Sequence, residues 1–448
     1  MFRFCRRIFL ACAAALLAVA CASAPSFEQY PPIVFVHGHG DSASIWQTTI
    51  WRFESNGWPR ERLHAIDMPL PLARDDDNKP QAGRASAAEH AAFVNSEVEK
   101  VLKATGAEQV VLVSNSRGGN TVRNYVYNFG GEPFVSHAIL GGAQSHGIWA
   151  HHIDGLPDTS EFAGHGPYIS GLNKPKNANG DEVAGPVKWM TIRSDRNDKY
   201  AQPDGLWVGK RGVDTGVTFA APELKGATNV VIPRIDHRET SFSPQAFEAT
   251  YRFITGRAPG RMDIAPEDKV MLSGKITGAG TNIGLPGAQV RVFVLDPYSG
   301  ERKGDAAYAR TVSEDGAWGP FNAQHDTRYE FEVAAAGYAT THIYRSPFPR
   351  SSTVITMRPE RVPDADKNAP SLAIMSRARG YLDPGRDKMA FDGMTPPPGA
   401  VLGAGVASSR VKPEGLPRAI VAEFNGERVV GRTWPLKENH ISVLELTY

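Results

Sequence analysis

One ten-residue segment limits what this chain can fold into more than any other. Residues 110–119 read Val-Val-Leu-Val-Ser-Asn-Ser-Arg-Gly-Gly, an apolar run typical of a buried strand, followed by a sharp turn into a helix. Such a turn holds one side chain, Ser116, above the edge of a sheet, and it requires small residues at Ser114 and Gly118. The alternative is a serine that only caps a helix after a strand.

Short β-branched runs alternate with helical patterns between residues 31 and 256, which predicts an α/β fold with a mostly parallel sheet. Ser86 and Glu89 form a capping box at the start of one helix. Ser243 begins the last helix, and Gly256 ends it. The predicted strands are Ile33–His37, Leu63–Met68, Val110–Ser114, Ala138–Leu140, Val187–Arg193 and Asn229–Pro233.

A serine in a strand, turn and helix is typical of the α/β-hydrolase fold, whose motif is G-x-S-x-G. Ser114 takes the place of the first glycine here. A serine hydroxyl needs a base to accept its proton, and in this fold the partners follow in the order serine, acid, histidine. His237 lies between the last predicted strand and the last helix, so we predict Ser116 as the nucleophile and His237 as the base.

Two aspartates follow the preceding strand and compete for the role of the acid. Asp195 comes first and is suited to forming the turn, whereas Asp198 lies five residues before Pro203, a spacing that is common in related hydrolases. We therefore predict Asp198 as the acid that fixes the tautomer of the histidine, with Asp195 as the alternative.

Residues 37–41, His-Gly-His-Gly-Asp, come directly after the first predicted strand. In this fold the oxyanion hole takes one backbone N–H from this loop and one from the residue after the nucleophile. The residues that supply these amides are predicted to be His39 and Arg117. Gly38 and Gly40 would let the backbone approach the substrate closely.

Residues 142–186 show no convincing period, although they lie inside a compact domain. An insertion of this length is usually functional, so we predict a cap or lid, with a plain surface excursion as the alternative. No metal site is predicted, because the adjacent His151 and His152 would face different ways in a strand and lack a second pair of ligands. No cofactor is predicted either, since the chain has no glycine-rich phosphate loop.

The pattern after Ala258 changes to short alternating strands between turn residues, which predicts a small antiparallel β-sandwich over residues 258–362. In Tyr329–Val333 the period of two is unbroken, so one face is predicted to be buried and the other wet. Residues 363–448 are predicted to be β-rich, as a third unit or an extension of the second. The predicted strands are Met271–Thr277, Ala288–Leu295, Ala307–Val312, Tyr329–Ala334, Thr353–Met357, Ala419–Phe424 and Ile441–Leu446.

Residues 1–24 have the features of a secretory signal, with three arginines before an apolar run from Ile8 to Ala20. The run is too short for a stable membrane span, although a retained membrane anchor is the alternative. Residues 17–21 resemble a lipobox that ends in Cys21, so the protein is either a lipoprotein, in the periplasm or at the outer membrane, or is released outside the cell. All three cysteines lie in or at the end of this leader, which excludes disulfides from the folded part.

Charge argues against a nucleic-acid partner. Without the three arginines of the leader, 46 basic residues face 48 acidic ones, a net charge of −2. No basic excess is left to neutralise phosphates.

The chain resembles class 2 lipases of bacteria and archaea, above all an archaeal group with a C-terminal β domain for lipid binding. The resemblance covers most of the chain, and residues 258–362 also resemble carboxypeptidase-regulatory-like modules, especially at Leu285–Val290. Segments that carry the lipase resemblance are Val34–Gly38, Arg52–Pro59, the turn around Ser116, Asn229–His237 and Phe253–Gly256.

The resemblance implies ester or triacylglycerol hydrolysis through a serine acyl-enzyme, with no metal. The substrate partner is then a lipid or ester, and a membrane is met only through a lipid anchor. One alternative is a depolymerase of extracellular polyesters that uses the β region as a tether. Another is a surface-binding protein with a decayed hydrolase domain. In each enzymatic reading, deleting the residues after Ala258 is expected to spare soluble short esters.

Overall fold

A computed structural model describes Phe27 and residues 30–448 of the chain. The predicted leader and Cys21 lie outside these residues. The first region contains a six-stranded sheet in the order β2-β1-β3-β4-β5-β6, in which every neighbouring pair is parallel. Its strands are β1 (Ile33–Val36), β2 (Leu63–Ile66), β3 (Val110–Asn115), β4 (Val135–Gly141), β5 (Lys188–Ser194) and β6 (Thr228–Ile232).

Helices cover this sheet, and two of them begin where the sequence predicts. The described part of the region contains α1 (Gln47–Ser55), α2 (Ala87–Thr105), α3 (Arg117–Asn128), α4 (Pro167–Leu172), α5 (Glu239–Phe242) and α6 (Pro244–Thr255). Helix α2 has the predicted capping box of Ser86 and Glu89. Helix α6 begins at Ser243, whose hydroxyl accepts a hydrogen bond from Ala246, and ends at Gly256 with φ of 74°. The predicted α/β-hydrolase fold class is confirmed.

The region after α6 is made of strands. Its elements are β7 (Val270–Ile276), β8 (Gln289–Val294), β9 (Tyr308–Thr311), β10 (Ala317–Ala323), β11 (Tyr329–Ala334), β12 (Thr340–Arg345), β13 (Ser352–Met357), β14 (Ala373–Ser376), β15 (Met389–Phe391), β16 (Ser408–Val411), β17 (Ala419–Phe424), β18 (Glu427–Arg432) and β19 (His440–Glu445). No helix among the described residues is long and apolar enough to cross a membrane.

Three sheets make up this β region. The largest has seven strands in the order β16-β14-β19-β12-β11-β8-β9, and the two others have the orders β10-β7-β13 and β15-β17-β18. Strands β14, β16 and β19 extend the sheet formed by β8, β9, β11 and β12, so residues 363–448 continue the preceding unit rather than standing apart. Within residues 258–362 most strand pairs are antiparallel, as predicted, but β13 pairs with β7 in parallel.

The prediction that one face of Tyr329–Val333 is wet is also wrong. All five residues are buried, including Glu330 and Glu332. Arg302 pairs with both carboxylates and Arg291 pairs with Glu332, so the polar face is covered by long basic side chains. Alternation alone does not distinguish solvent from a covering layer of arginine.

Contacts between the two regions are extensive and partly polar. The Trp51 indole packs in the core of the β region and donates to the carbonyl oxygen of Ser351 at 2.8 Å. Asn282 of the β region is buried against the first region, where its amide donates to the carbonyls of Asp41 and Met68 at 2.9 Å each. Both bonds satisfy backbone groups at the carboxyl end of the parallel sheet, which water would otherwise have to solvate.

These contacts change the expected result of truncation. Ending the chain after Arg257 would expose Trp51 and remove the amide of Asn282 from two carbonyls, so we expect thermal stability to be lost, and with it the hydrolysis of soluble short esters that the sequence predicts. Rates with p-nitrophenyl butyrate and melting followed by circular dichroism measure both effects. A truncated chain as active per molecule as the full chain would contradict this expectation.

Candidate active site

The turn between β3 and α3 places Ser116 in a rare backbone conformation, with φ of 55° and ψ of −127°. Close packing at the neighbouring positions holds the turn in this conformation. A Cβ atom on Gly118 would lie 2.7 Å from the carbonyl oxygens of Val36 and His37, so only glycine fits there. Ser114 fits at the first position of the motif because its hydroxyl donates to the carbonyl of Ile139 at 2.9 Å, in the next strand.

The loop after β1 approaches this turn closely. A Cβ on Gly38 would lie 2.7 Å from the Cβ of Ser116. His39 follows Gly38, and Arg117 is the first residue of α3, directly after the serine. The His37 side chain holds the loop, since its Nδ1 donates to the carbonyl of Gly38 at 2.9 Å and its Nε2 accepts from the Met68 amide at 3.1 Å.

His237 and Asp198 lie together, although 39 positions separate them in the sequence. Nδ1 of His237 is 2.8 Å from Oδ2 of Asp198, and both residues are buried. The ring of Tyr200 packs edge-on against the imidazole with 4.5 Å between centroids. Asn115, next to the serine, donates to the backbone carbonyl of His237 at 3.3 Å and so ties the two loops together.

Asp195 serves the turn instead. Its Oδ1 accepts from the amides of Arg196 at 2.6 Å and of Arg234 at 2.9 Å. Although burial opposes ionisation, these backbone hydrogen bonds lower the pKa of Asp195. The structure therefore brings Asp198, and not Asp195, to His237.

Gln144 is a residue of this site that the sequence analysis missed. Its Nε2 lies 3.5 Å from Oγ of Ser116 and 3.4 Å from Nε2 of His237, so one amide group contacts both side chains. Its Oε1 is buried without a hydrogen-bond partner. The available signal was position, because Gln144 follows the carboxyl end of β4, and active sites of open α/β sheets collect residues at that edge.

A cavity of about 260 Å³ opens beside this cluster. Gln144, Asp198 and Tyr200 lie on its wall, and the remaining lining residues are mostly apolar or small. Part of that wall comes from the predicted cap over residues 142–186 and part from residues 200–224, which the sequence analysis did not single out. The cap side includes Ala143, Gly147 and Ala150, and the second segment includes Val217, Phe219, Pro222 and Leu224.

Arg117 is fully buried behind the serine and is held by the cap. Its Nε lies 2.5 Å from Oε1 of Glu161, which is itself buried. Its other nitrogens contact the carbonyls of Pro71 and Ala85 and Nε2 of His90. Burial, together with the Arg117 guanidinium, lowers the pKa of His39 to about 4, so this ring is neutral near pH 7.

Two sets of described residues could offer three ligands to a metal ion. His152, Asp158 and His165 lie at the surface of the cap, where Oδ1 of Asp158 is 2.7 Å and 2.8 Å from a nitrogen of each ring. Glu330, Glu332 and His342 form the other set, but Arg302 already neutralises both carboxylates. Neither set contacts Ser116 or His237.

Two family models match the chain. Residues 30–147 match class 2 lipases, and residues 268–362 match the lipase C-terminal domain. The first match includes the loop after β1, the serine turn and Gln144.

Solved structures with a similar chain path include lipases and an esterase. Aspergillus fumigatus lipase B is 15% identical, with a TM-score of 0.34 over 54% of this chain and 56% of that one, so the match spans little more than half of that lipase. A Bacillus licheniformis lipase in its propeptide form is 14% identical, with a TM-score of 0.35 over 90% of this chain and 92% of that one. A Bacillus subtilis carboxylesterase is 14% identical, with a TM-score of 0.28 over 52% and 86%. We draw nothing further from likenesses this distant.

Glu161 should make stability depend on pH. Burial raises the pKa of its carboxyl from 4.5 to about 7, against the opposing charge of Arg117. Between these values the unfolded chain has lost a proton that the folded chain keeps, so the free energy of unfolding should fall as pH rises from 4.5 through 7, by at most about 3 kcal/mol. Glu161→Gln should remove this part of the fall, as urea denaturation at both ends of the range would measure. An identical pH dependence in the variant would contradict it.

Proposed function

We propose that the chain is a class 2 lipase, a carboxylic ester hydrolase that cleaves its substrates through an acyl-enzyme on Ser116, as the matches to the class 2 lipase and lipase C-terminal family models support. The observation that carries this proposal is the hydrogen bond of 2.8 Å between His237 and Asp198, at a histidine that shares the Gln144 amide with Ser116. A serine hydroxyl is a weak nucleophile until a base within reach accepts its proton.

Asp198 decides which nitrogen of His237 is free to act. Its carboxylate accepts a hydrogen bond from Nδ1–H, which leaves the lone pair of the neutral ring on Nε2. Nε2 is the atom that faces Ser116 through Gln144. As Oγ attacks the ester carbonyl carbon, its proton passes to Nε2, and the imidazolium then returns that proton to the departing alcohol. A water molecule repeats the sequence to release the acid.

The negative charge on the former carbonyl oxygen needs donors that do not have to reorganise. The backbone amides of His39 and Arg117 are suited to this role because Arg117 follows the serine and His39 follows Gly38, which lies against Ser116. The Arg117 side chain does not compete for that position, since it is buried on Glu161, Pro71, Ala85 and His90. The neutral His39 ring adds no charge of its own.

The cavity beside Gln144 suggests the substrate class. Its mostly apolar wall suits a hydrocarbon acyl chain, and 260 Å³ is at the small end of ligand cavities. We infer short to medium acyl esters, with the β region as the part that meets a lipid surface. Because the Gln144 amide contacts both Nε2 and Oγ, it must give way before the hydroxyl can bond to the imidazole.

Substitution of the proposed triad tests this assignment. Ser116→Ala should lower kcat on p-nitrophenyl esters by about 10⁶-fold, as expected when a nucleophile acts in a complete triad. Asp198→Asn should lower kcat by about 10⁴-fold, because the amide would stabilise the wrong tautomer of His237. Asp195→Asn is the matched control and should keep nearly full activity, because the Asp195 carboxylate binds the backbone amides of Arg196 and Arg234 and does not contact His237.

The same assay, run over esters of rising chain length and on a polyester film, separates the alternatives. Full activity of Ser116→Ala would exclude the acyl-enzyme, and equal losses in the two aspartate variants would exclude Asp198 as the acid. Higher rates on the film than on soluble esters would favour the depolymerase. No activity of the wild-type chain on any ester would favour the surface-binding protein.

We further propose that the protein is exported and that Cys21 is lipidated. The support is the leader sequence alone, with its arginines, its apolar run and the cysteine after residues 17–20. Globomycin should make a lipoprotein precursor accumulate in cells that express the chain, and Cys21→Ser should abolish that effect. Release of mature protein without precursor accumulation would show instead that the leader is removed without lipidation.

A further inference from the structure

Residues 236–239, the histidine loop, carry His237 and make unusual contacts with the C-terminal part of the chain. Arg377 donates from Nη1 to Oδ2 of Asp236 at 2.7 Å and from Nη2 to Oε1 of Glu239 at 2.5 Å. Arg386 donates from Nη1 to Oε2 of Glu239 at 2.6 Å. These two arginines, the arginine pair, thus bind the carboxylates on both sides of the histidine.

The contacts are deeply buried. Asp236 has no exposed surface, and Arg377 is 2% exposed. Buried carboxylates are tolerated only when charges and hydrogen bonds compensate them, and here the guanidinium groups are those charges. Although burial opposes ionisation, Arg377 and Arg386 lower the pKa of Asp236, so this carboxylate stays charged.

Asp236 links the arginine pair to the conformation of His237. Its Oδ2 accepts from Arg377 and from the backbone amide of Tyr381 at 2.8 Å. Its Oδ1 accepts from the amides of Arg238 and Glu239 at 2.9 Å each, which closes the turn around the histidine. A single carboxylate therefore joins the C-terminal region to the backbone that aims the imidazole at Asp198.

The same region contacts the neighbouring loops of the site. The Lys199 ammonium, next to Asp198, lies 4.1 Å from the ring centre of Tyr381 and donates to the carbonyl of Gly405 at 3.1 Å. Arg238 packs over the Tyr381 ring at 5.0 Å and pairs with Asp41, in the loop after β1, at 2.6 Å. Residues 377–405 thus contact Lys199, next to Asp198, and the histidine loop directly. They are linked to the loop after β1 through Arg238.

We propose that Arg377 and Arg386 are positioning residues for His237, so that the C-terminal β region sets the geometry of the triad rather than serving only as a substrate tether. The proposal rests on the proposed function, since it takes His237 to be the base. It concerns residues 377 and 386, which lie beyond the part that matches the lipase C-terminal domain.

The test uses the full chain and a soluble short ester, so that lipid binding plays no part. Arg386→Gln should lower kcat by about 10²-fold, the cost of a histidine displaced by about 1 Å, with a much smaller change in KM. The acidic limb of the kcat/KM profile should move to higher pH, because loss of a nearby cation makes the imidazole easier to protonate. Arg386→Lys, which restores the charge, should recover part of kcat and move the limb back.

Arg350→Gln is the matched control. Arg350 also joins the two regions, with ion pairs to Glu54 at 3.0 Å and to Glu267 at 2.8 Å, but these lie at α1 and the start of the β region. Arg350→Gln should lower the melting temperature without changing kcat or the pH profile, both measured well below that temperature. If Arg386→Gln only lowers the melting temperature, as this control does, the proposal is overturned.

Two further outcomes separate the possible failures. Glu239→Gln is a milder variant that keeps the side-chain volume and should lower kcat in the same way, whereas its acidic limb should move to lower pH, because loss of a nearby anion makes the imidazole harder to protonate. If neither this variant nor Arg386→Gln folds, by circular dichroism, the arginine pair holds the fold rather than the histidine, and the proposal is overturned. If Ser116→Ala stays active, the proposed function fails. If activity depends on Ser116 but Arg386→Gln and Glu239→Gln keep the wild-type kcat and pH profile, only this inference is overturned.

Discussion

The close approach of the loop after β1 to the serine turn is the constraint on which the site depends. Ser116 keeps a backbone conformation with φ of 55° because Gly118 lies against the carbonyls of Val36 and His37. Such conformations cost on the order of 1–3 kcal/mol and persist only where the surroundings enforce them. The parallel pairing of β1 and β3 supplies that enforcement, and it brings the loop that contains Gly38 against Ser116.

The β region contacts two of the loops at the carboxyl edge of the parallel sheet. Asn282 satisfies carbonyls beside the loop after β1, and the arginine pair holds the loop after β6. Both contacts end at loops that follow parallel strands, where an open α/β sheet collects its functional residues. Loops are the most mobile parts of such a fold, so support from a second region restricts the parts whose geometry matters most for chemistry.

Much of this fold could be predicted from the sequence because its signals are local. The capping box at Ser86, the cap at Ser243 and the glycine at 256 each act within a few residues, and β1 and the first four residues of β3 are continuous apolar runs. His237 could be chosen because it follows the last strand in a fixed order, whereas the choice of Asp198 over Asp195 depended on its spacing to Pro203. The long-range features could not be predicted from the sequence. Glu332 alternates as a solvent-facing residue would, and only the folded chain brings Arg291 and Arg302 over it. Gln144 likewise has no local signature, since its importance comes from two side chains distant in sequence.

The position of β19 has a consequence for the order in which the molecule can assemble during synthesis. This strand lies between β12 and β14 in the seven-stranded sheet, although every other described strand precedes it in the sequence. A chain that emerges N-terminus first therefore holds both neighbours with an open edge until residue 445 has been made. Strand β14 immediately precedes Arg377, so the segment that leads to the arginine pair gains its second neighbouring strand only when β19 has been made. The parallel sheet of the first region can thus form early, whereas the sheet that precedes Arg377 is completed only at the end of synthesis.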